Sequence, residues 1–352
     1  MTDSPKEKLL QEAPACDADV PYDIAVAGDY GVTGDVVVTY NAAVARMAEE
    51  VRRLLKGAPA VIRKMTAHLA KASGKMIRAR ALLACAIGRD GVINQDAVKA
   101  AAAVELMHLA TLIHDDIIDG ADKRRGIDAL HSKFGEKYAV LCGDWLFCAA
   151  LDLASTMGTP EHRRDAAHRP FPHYLTEVLL GEVRQNTNNR NYKLSEREYF
   201  RIIRGKTAAL FEACFYAGFM LSDEADDFLD IYRQIGNNIG LIFQLADDCA
   251  DYESTREAEK KPILSDYSLG VVTLPLIRAL RTDPALSDKI AAGLPPEKLR
   301  EIIMSAGGLA YTHTKIDGLY KKTRSLIESL DIGEAKRMLL TKLLCKASGK
   351  PA

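Results

Sequence analysis

Two short carboxylate runs could do chemistry: Asp115-Asp116-x-x-Asp119 and Asp247-Asp248-x-x-Asp251, each closing an apolar stretch. Asp115 and Asp119 are four residues apart, as are Asp247 and Asp251, so on a helix each pair shares one face with Cβ atoms about 5–6 Å apart. Carboxylates crowded in this way repel, and at a helix C-terminus they also oppose the macrodipole. Stability alone gives no reason to keep them. A hard divalent cation removes the conflict, because Mg2+ takes one or two carboxylates together with substrate phosphates. One such run reads equally well as a solvated acidic helix end. Two of them suit a bundle in which Asp115, Asp116 and Asp119 face Asp247 and Asp251 and clamp one diphosphate through Mg2+. There the charge on a leaving diphosphate would be neutralised.

Basic residues lie between and around the acidic runs. Ser73-Gly74-Lys75-Met76-Ile77-Arg78 places Lys75 and Arg78 on one face at the start of a helix, where backbone N–H groups also attract phosphate. Lys123-Arg124-Arg125-Gly126, Gly205-Lys206-Thr207 and Lys260-Lys261-Pro262 follow. Each alone is a solvated basic turn; four among two acidic clusters supply counter-charge for two diphosphates. Glu105-x-x-His108 fits the E-x-x-H of di-iron bundles, but those need two such motifs, and no other histidine has a Glu three residues upstream.

These residues sit on a chain with helical periodicity. Apolar residues recur three and four apart from Val37 onward, with further helical stretches near 59–71, 77–88, 95–119, 128–137, 139–157, 173–189, 195–202, 206–222, 224–252, 272–280, 287–293, 296–304, 307–329 and 332–347. No run alternates with period two apart from Val36-Val37-Val38, so the expected class is all-α. Residues 1–36 mix Pro, Gly and charge and are expected to form a mobile arm before one domain at 37–352. Residues 158–172 and 253–271 are expected to be loops.

Composition narrows the partners. With 47 Lys plus Arg against 48 Asp plus Glu, no global field favours nucleic acid or anionic lipid. Seven scattered cysteines without a C-x-x-C pair suit reduced thiols, and no run of consecutive apolar residues reaches spanning length. The expected location is the cytoplasm, with no transmembrane segment and at most transient membrane contact.

Taken in order, these motifs resemble the trans (E-type) polyprenyl diphosphate synthases, from about residue 40 to the C-terminus. The resemblance rests on G-K-x-x-R at 74–78, H-x5-H-D-D-x-x-D-x4-R-R-G at 108–126, Gly143-Asp144, Gly205-Lys206-Thr207, F-Q-x-x-D-D-x-x-D at 243–251, K-P-x-x-x-D at 261–266 and Thr273-Leu274-Pro275. It implies a single-domain helical bundle of the isoprenoid synthase type around a central cavity. The implied activity is a prenyltransferase that condenses isopentenyl diphosphate with an allylic diphosphate, working as a homodimer. Asp115, Asp119 and Asp247 would hold three Mg2+ ions on the allylic diphosphate, with Asp116 supporting and Asp251 acting through water. Arg124, Lys206 and Lys261 would grip the same group; Lys75, Arg78, His108 and Arg125 would bind isopentenyl diphosphate. Thr207 and Gln244 would lie near the developing allylic cation, and Phe243 beside the isopentenyl unit. Two departures stand out: Ala79 where the family has Pro, and Val271 where it often has a diphosphate-binding Lys.

The growing chain would run back along the helix that carries Asp115, at about 5.4 Å per turn. In this family aromatic residues four and five positions before the first Asp mark short products; here they are Thr111 and Ala110, and Met107 lies deeper. Phe147 or Leu151 on the facing helix is expected to supply a deeper floor. A long-chain (C35–C50) product is the favoured expectation, with geranylgeranyl (C20) or farnesyl diphosphate as the alternative. A class I terpene cyclase would not need Lys75, Arg78 and Arg125, and its second motif would not carry Asp at 251. A non-catalytic subunit of a heteromeric synthase would be expected to have lost an acidic motif.

Overall fold

The computed structural model describes residues 40–72, 74–158, 173–253 and 264–350. The expected arm at 1–36, the loop at 159–172 and Lys260-Lys261-Pro262 lie outside the described residues. Helices α1 (Tyr40–Lys56), α2 (Arg63–Leu69) and α3 (Ile77–Cys85) lead into α4 (Gln95–Ile118). A hairpin, β1 (Lys123–Arg124) and β2 (Ile127–Asp128), then α5 (Leu130–Phe134), carry the chain to α6 (Glu136–Ser155). Next come α7 (Tyr174–Thr187) and α8 (Glu196–Ile203), which passes through a π turn at Arg204–Ala208 into α9 (Ala209–Met220). Then follow α10 (Leu229–Glu253), α11 (Ser265–Leu269), α12 (Leu274–Thr282), α13 (Leu286–Ala291), α14 (Pro296–Ser305), α15 (Gly308–Glu328) and α16 (Glu334–Ala347). The all-α expectation holds.

The two helices that end in aspartates are the axes of the bundle. The side chain of Asn94 accepts a hydrogen bond from Asp96 N at 2.7 Å and starts α4, as an N-cap should. The helix is apolar all round, with Ala97, Ala101, Leu106, Ala110 and Ile113 buried, which suits a helix enclosed by others. It packs against α1, α3 and α6. Gly143 lets α6 approach closely, since a Cβ there would overlap the His114 imidazole. In the other half α10 buries Ile235, Ile239, Ile242 and Leu245 between α9 and α15.

Several boundaries differ from expectation for local reasons. The helix expected at 128–137 stops at Phe134 because Gly135 adopts φ 91, and α6 begins anew at Glu136. The basic turn after Asp119 is a two-residue hairpin loop, Arg125-Gly126, with φ of 51 and 81; positive φ at both central positions is what tight hairpins require. Strands of two residues are too short to show alternation. A single helical turn, α11, interrupts the loop expected at 253–271.

By length and composition α4 and α6 could each cross a membrane. The apolar window of α4 is 56% buried inside the bundle. That of α6 is 39% buried, and the helix leaves Tyr138, Val140, Leu141 and Leu151 exposed.

Candidate active site

Asp115 and Asp119 sit at the C-terminal end of α4 on one face. Burial pushes the Asp115 carboxyl up to about 7, helped by the nearby Glu182 carboxylate and opposed by Lys206. Asp119 is raised for the same reasons, burial first. Asp116 points elsewhere: its Oδ1 accepts from Arg124 Nε at 2.6 Å and also pairs with the terminal guanidinium nitrogen. Asp116, expected in a supporting role beside the metal ligands, has that oxygen engaged in fixing Arg124.

The second cluster gathers more carboxylates than expected. Asp248 is buried, and its charge is supported by Tyr199 Oη at 2.5 Å and Gln244 Nε2 at 2.8 Å. Even so, burial raises the Asp248 carboxyl above its ordinary range, with Asp247 and Asp251 adding to the shift. Asp251 Oδ2 accepts from Asp266 N at 3.2 Å. Asp266 is pushed well above the usual carboxylate range by burial and by Asp248, Asp251 and Asp247. Lys206 is the cation both clusters share, within electrostatic reach of Asp115 and Asp119 and also of Asp266.

A hydrogen-bonded chain fixes the group expected at the reacting cation. The Thr207 hydroxyl donates to Gln244 Oε1 at 2.6 Å, so the amide nitrogen must face Asp248. Thr207 thereby leaves its own oxygen lone pairs unused by Gln244. Tyr199, missed in the sequence, anchors the far end. Tyr199→Phe would strip one hydrogen bond from a buried carboxylate. Turnover is expected to fall about tenfold while binding at the cationic group of Arg78 stays put, as steady-state kinetics would show.

A second cationic group forms around α3. Arg78 Nη1 lies 3.1 Å from His108 Nε2, and because a guanidinium only donates, that nitrogen accepts and Nδ1 carries the proton. Burial, then Arg78 and Arg125, keep His108 well below its usual pKa, hence neutral. The Arg78 guanidinium lies 4.9 Å from the Phe211 ring centroid and 5.9 Å from that of Phe243. The strained backbone of Arg125 lays its guanidinium against Gly74, where any Cβ would collide with it. Lys75 is exposed at the entrance to α3. Glu105, buried, accepts from Ala79 N at 3.4 Å and sits in the field of Arg78 and Arg125. These cations favour its ionised form against the burial that raises its pKa.

The expected floor residues separate. Ala110 is buried, and Thr111 and Met107 are half-buried. The Phe147 ring lies 5.9 Å from that of His114, the residue before Asp115. Leu151 is 56% exposed on the outer stripe of α6, alongside Tyr138 and Leu141. As a wall inside this chain Leu151 is excluded, because the α6 period turns it outward.

Among the described residues no three His, Cys, Asp or Glu side chains close on a preformed cation. The donors at Asp115, Asp119 and Asp251 are oxygen only and half-buried, with Asp119 repelling Asp115 and Asp251 repelling Asp266, which fits a hard cation that arrives with a phosphate ligand. Repulsion of this kind costs the metal-free protein stability. A carboxyl raised from 3.8 to about 7 on folding destabilises the native state progressively as pH rises through that window. Metal-free Asp115→Asn is therefore expected to melt higher than wild type at pH 8, with a smaller gap at pH 5.5, in a thermal-denaturation series.

A helical bundle with aspartate clusters ending two core helices defines the isoprenoid synthase fold. The Polyprenyl synthetase family model matches residues 59–302, and the chain belongs to that family. It is 31% identical over 302 residues to heptaprenyl diphosphate synthase component 2 of Geobacillus stearothermophilus, covering 84% of this chain and 92% of the relative. The heptaprenyl diphosphate synthase of Staphylococcus aureus superposes with a TM-score of 0.80 at 26% identity, covering 90% of this chain and 100% of that one. A polyprenyl synthase of Caulobacter crescentus CB15, solved with calcium and isoprenyl diphosphate, gives 0.75 at 32% identity over 88% of this chain and 96% of that one. The protein is an enzyme, a prenyltransferase that elongates an isoprenoid diphosphate.

Proposed function

We propose that this enzyme condenses isopentenyl diphosphate with an allylic diphosphate to give a long-chain, C35–C50 product. The observation that carries the length is the lack of an aromatic side chain behind Asp115: Thr111 and buried Ala110, and further down Met107, Val104 and Ala103. The heptaprenyl names of the two similar proteins above point the same way.

Asp115, Asp119 and Asp247, with Asp251 alongside, would hold Mg2+, three ions in all. Bound there, Mg2+ neutralises the allylic diphosphate and makes it a better leaving group. Lys206, Arg124 and Lys261 bind the phosphate oxygens. Asp116 keeps Arg124 extended toward them. As the C–O bond breaks, the Thr207 oxygen and the Gln244 carbonyl dipole face the positive charge. Lys75, Arg78, Arg125 and the Nδ1–H of His108 hold the diphosphate of isopentenyl diphosphate, while Phe243 packs beside its hydrocarbon. The double bond attacks the cation, and the proton then lost passes to the released diphosphate. Positioning and preorganised charge supply the catalysis.

The exposed apolar face of α6 (Tyr138, Leu141, Leu151) and of α7 (Leu179, Val183) covers, on this reading, a second copy of the chain. Light scattering at the size of two chains supports it. The G. stearothermophilus relative is named as one component of a synthase, which favours a second reading: the same face meets a different chain, and the lone protein is inactive.

The length assignment is tested at Thr111. Thr111→Phe places an aromatic ring over the path of the growing chain and is expected to shift the main product to C20 or shorter at near-normal incorporation. An unchanged product ladder would show that the chain takes another path.

A further inference from the structure

Gly181 on α7 and Gly205 in the π turn lie back to back. A Cβ on Gly181 would overlap the Lys206 backbone, and one on Gly205 would come within 2.7 Å of Glu177 O. Because neither glycine carries a side chain, the residues that follow them meet. Glu182 Oε2 lies 2.7 Å from Lys206 Nζ, and Glu182 Oε1 accepts from Asn186 Nδ2 at 2.9 Å. The two side chains are only 14% and 24% exposed. The ammonium of Lys206 is also within electrostatic reach of Asp115 and Asp119. A lysine stem is long and flexible, and two half-buried, mutually repelling carboxylates are strong attractors. Yet the ion pair and hydrogen bond that Lys206 makes among the described residues go to Glu182.

We infer that Glu182 is a positioning residue that anchors Lys206 beside Asp115 and Asp119 without letting it fall onto them, so that both carboxylates stay open to a divalent cation. Asn186 steadies Glu182 in turn. The inference rests on the assignment of Asp115, Asp119 and Lys206 to the allylic diphosphate site. It differs from a plain structural ion pair in what it protects: a staple between α7 and the π turn would affect melting, not metal affinity.

The test uses Mn2+ alone as the probe, its binding to full-length protein followed by electron paramagnetic resonance. Glu182→Gln keeps hydrogen-bonding capacity but releases the ammonium; it is expected to weaken Mn2+ binding by about tenfold or more. Adding the same change to Lys206→Ala is expected to cost nothing further, because no ammonium remains to compete. Asn186→Ala should move Mn2+ affinity in the same direction by less, and covers the case in which Glu182→Gln folds poorly. Wild-type affinity in Glu182→Gln overturns the inference. So does an equal loss with and without Lys206, which would make Glu182 a ligand or a simple field charge. The underlying site assignment fails separately, if Asp115→Ala binds Mn2+ as wild type does or Lys206→Ala keeps full turnover.

Discussion

Replacing Asp115 with Ala is expected to reduce elongation by about a thousandfold or more, with the fold intact. The residue closes α4 on the face it shares with Asp119, and its carboxyl is already destabilised by burial and by its carboxylate neighbours. Such a group gains most from a cation and is missed most where charge builds on the leaving diphosphate. Loss of one well-placed electrostatic partner at a reacting centre costs about a hundred- to a thousandfold, and here a metal is lost with it. Single-turnover kinetics at saturating Mg2+ separates this from weakened substrate binding. Near-normal turnover in Asp115→Ala would remove α4 from the reaction.

The second large effect concerns stability. Lys336 on α16 is buried and donates to Cys85 O at 2.7 Å, to Ile87 O at 2.8 Å and to the Glu224 carboxylate. Glu224 Oε1 also accepts from Tyr232 Oη at 3.0 Å. One ammonium thus closes the C-terminal end of α3 and ties it to the last helix, 251 residues further along the chain. Burial pulls its pKa down while Glu224 holds it up. Lys336→Ala leaves a buried carboxylate without its counter-charge and takes one donor from each of two carbonyls, at a cost of about 3–5 kcal/mol. For a chain of this size the melting temperature is expected to fall by roughly 4–7 °C. Replacing both partners with apolar residues, as in Lys336→Met with Glu224→Leu, is expected to recover much of that loss. If the single variant melts within about 2 °C of wild type, the tie contributes little.

The legible parts of this protein are those written in local pattern. Spacing of apolar residues located α4 within one residue, since its start carries the Asn94 cap and its end the carboxylates. Both aspartate runs were visible because crowded like charges on apolar helices need a partner. The cation groups around Gly74, Arg125 and Gly205 could be named as counter-charges. Which carboxylate each cation meets could not be read in this way. Asp116 turns to Arg124 because the Arg125-Gly126 hairpin folds the chain back on α4, a two-residue event with no periodicity. Glu182 and Lys206 meet through Gly181 and Gly205 on separate helices. The hint was there, two glycines each followed by a charge, but the pairing needs the π turn at Arg204–Ala208, which a helical period hides. Tyr199 reads as an ordinary apolar position of α8 until Asp248 is seen above it. Leu151 reads as interior by residue type, yet the α6 period carries it outward.

The most direct measurement is incorporation of radiolabelled isopentenyl diphosphate into farnesyl diphosphate by the purified chain with Mg2+, with products resolved by length. The account expects metal-dependent elongation ending at C35 or beyond. A product that stops at C20 would contradict the open path behind Asp115, and no incorporation by folded protein would contradict a synthase that works from this chain alone.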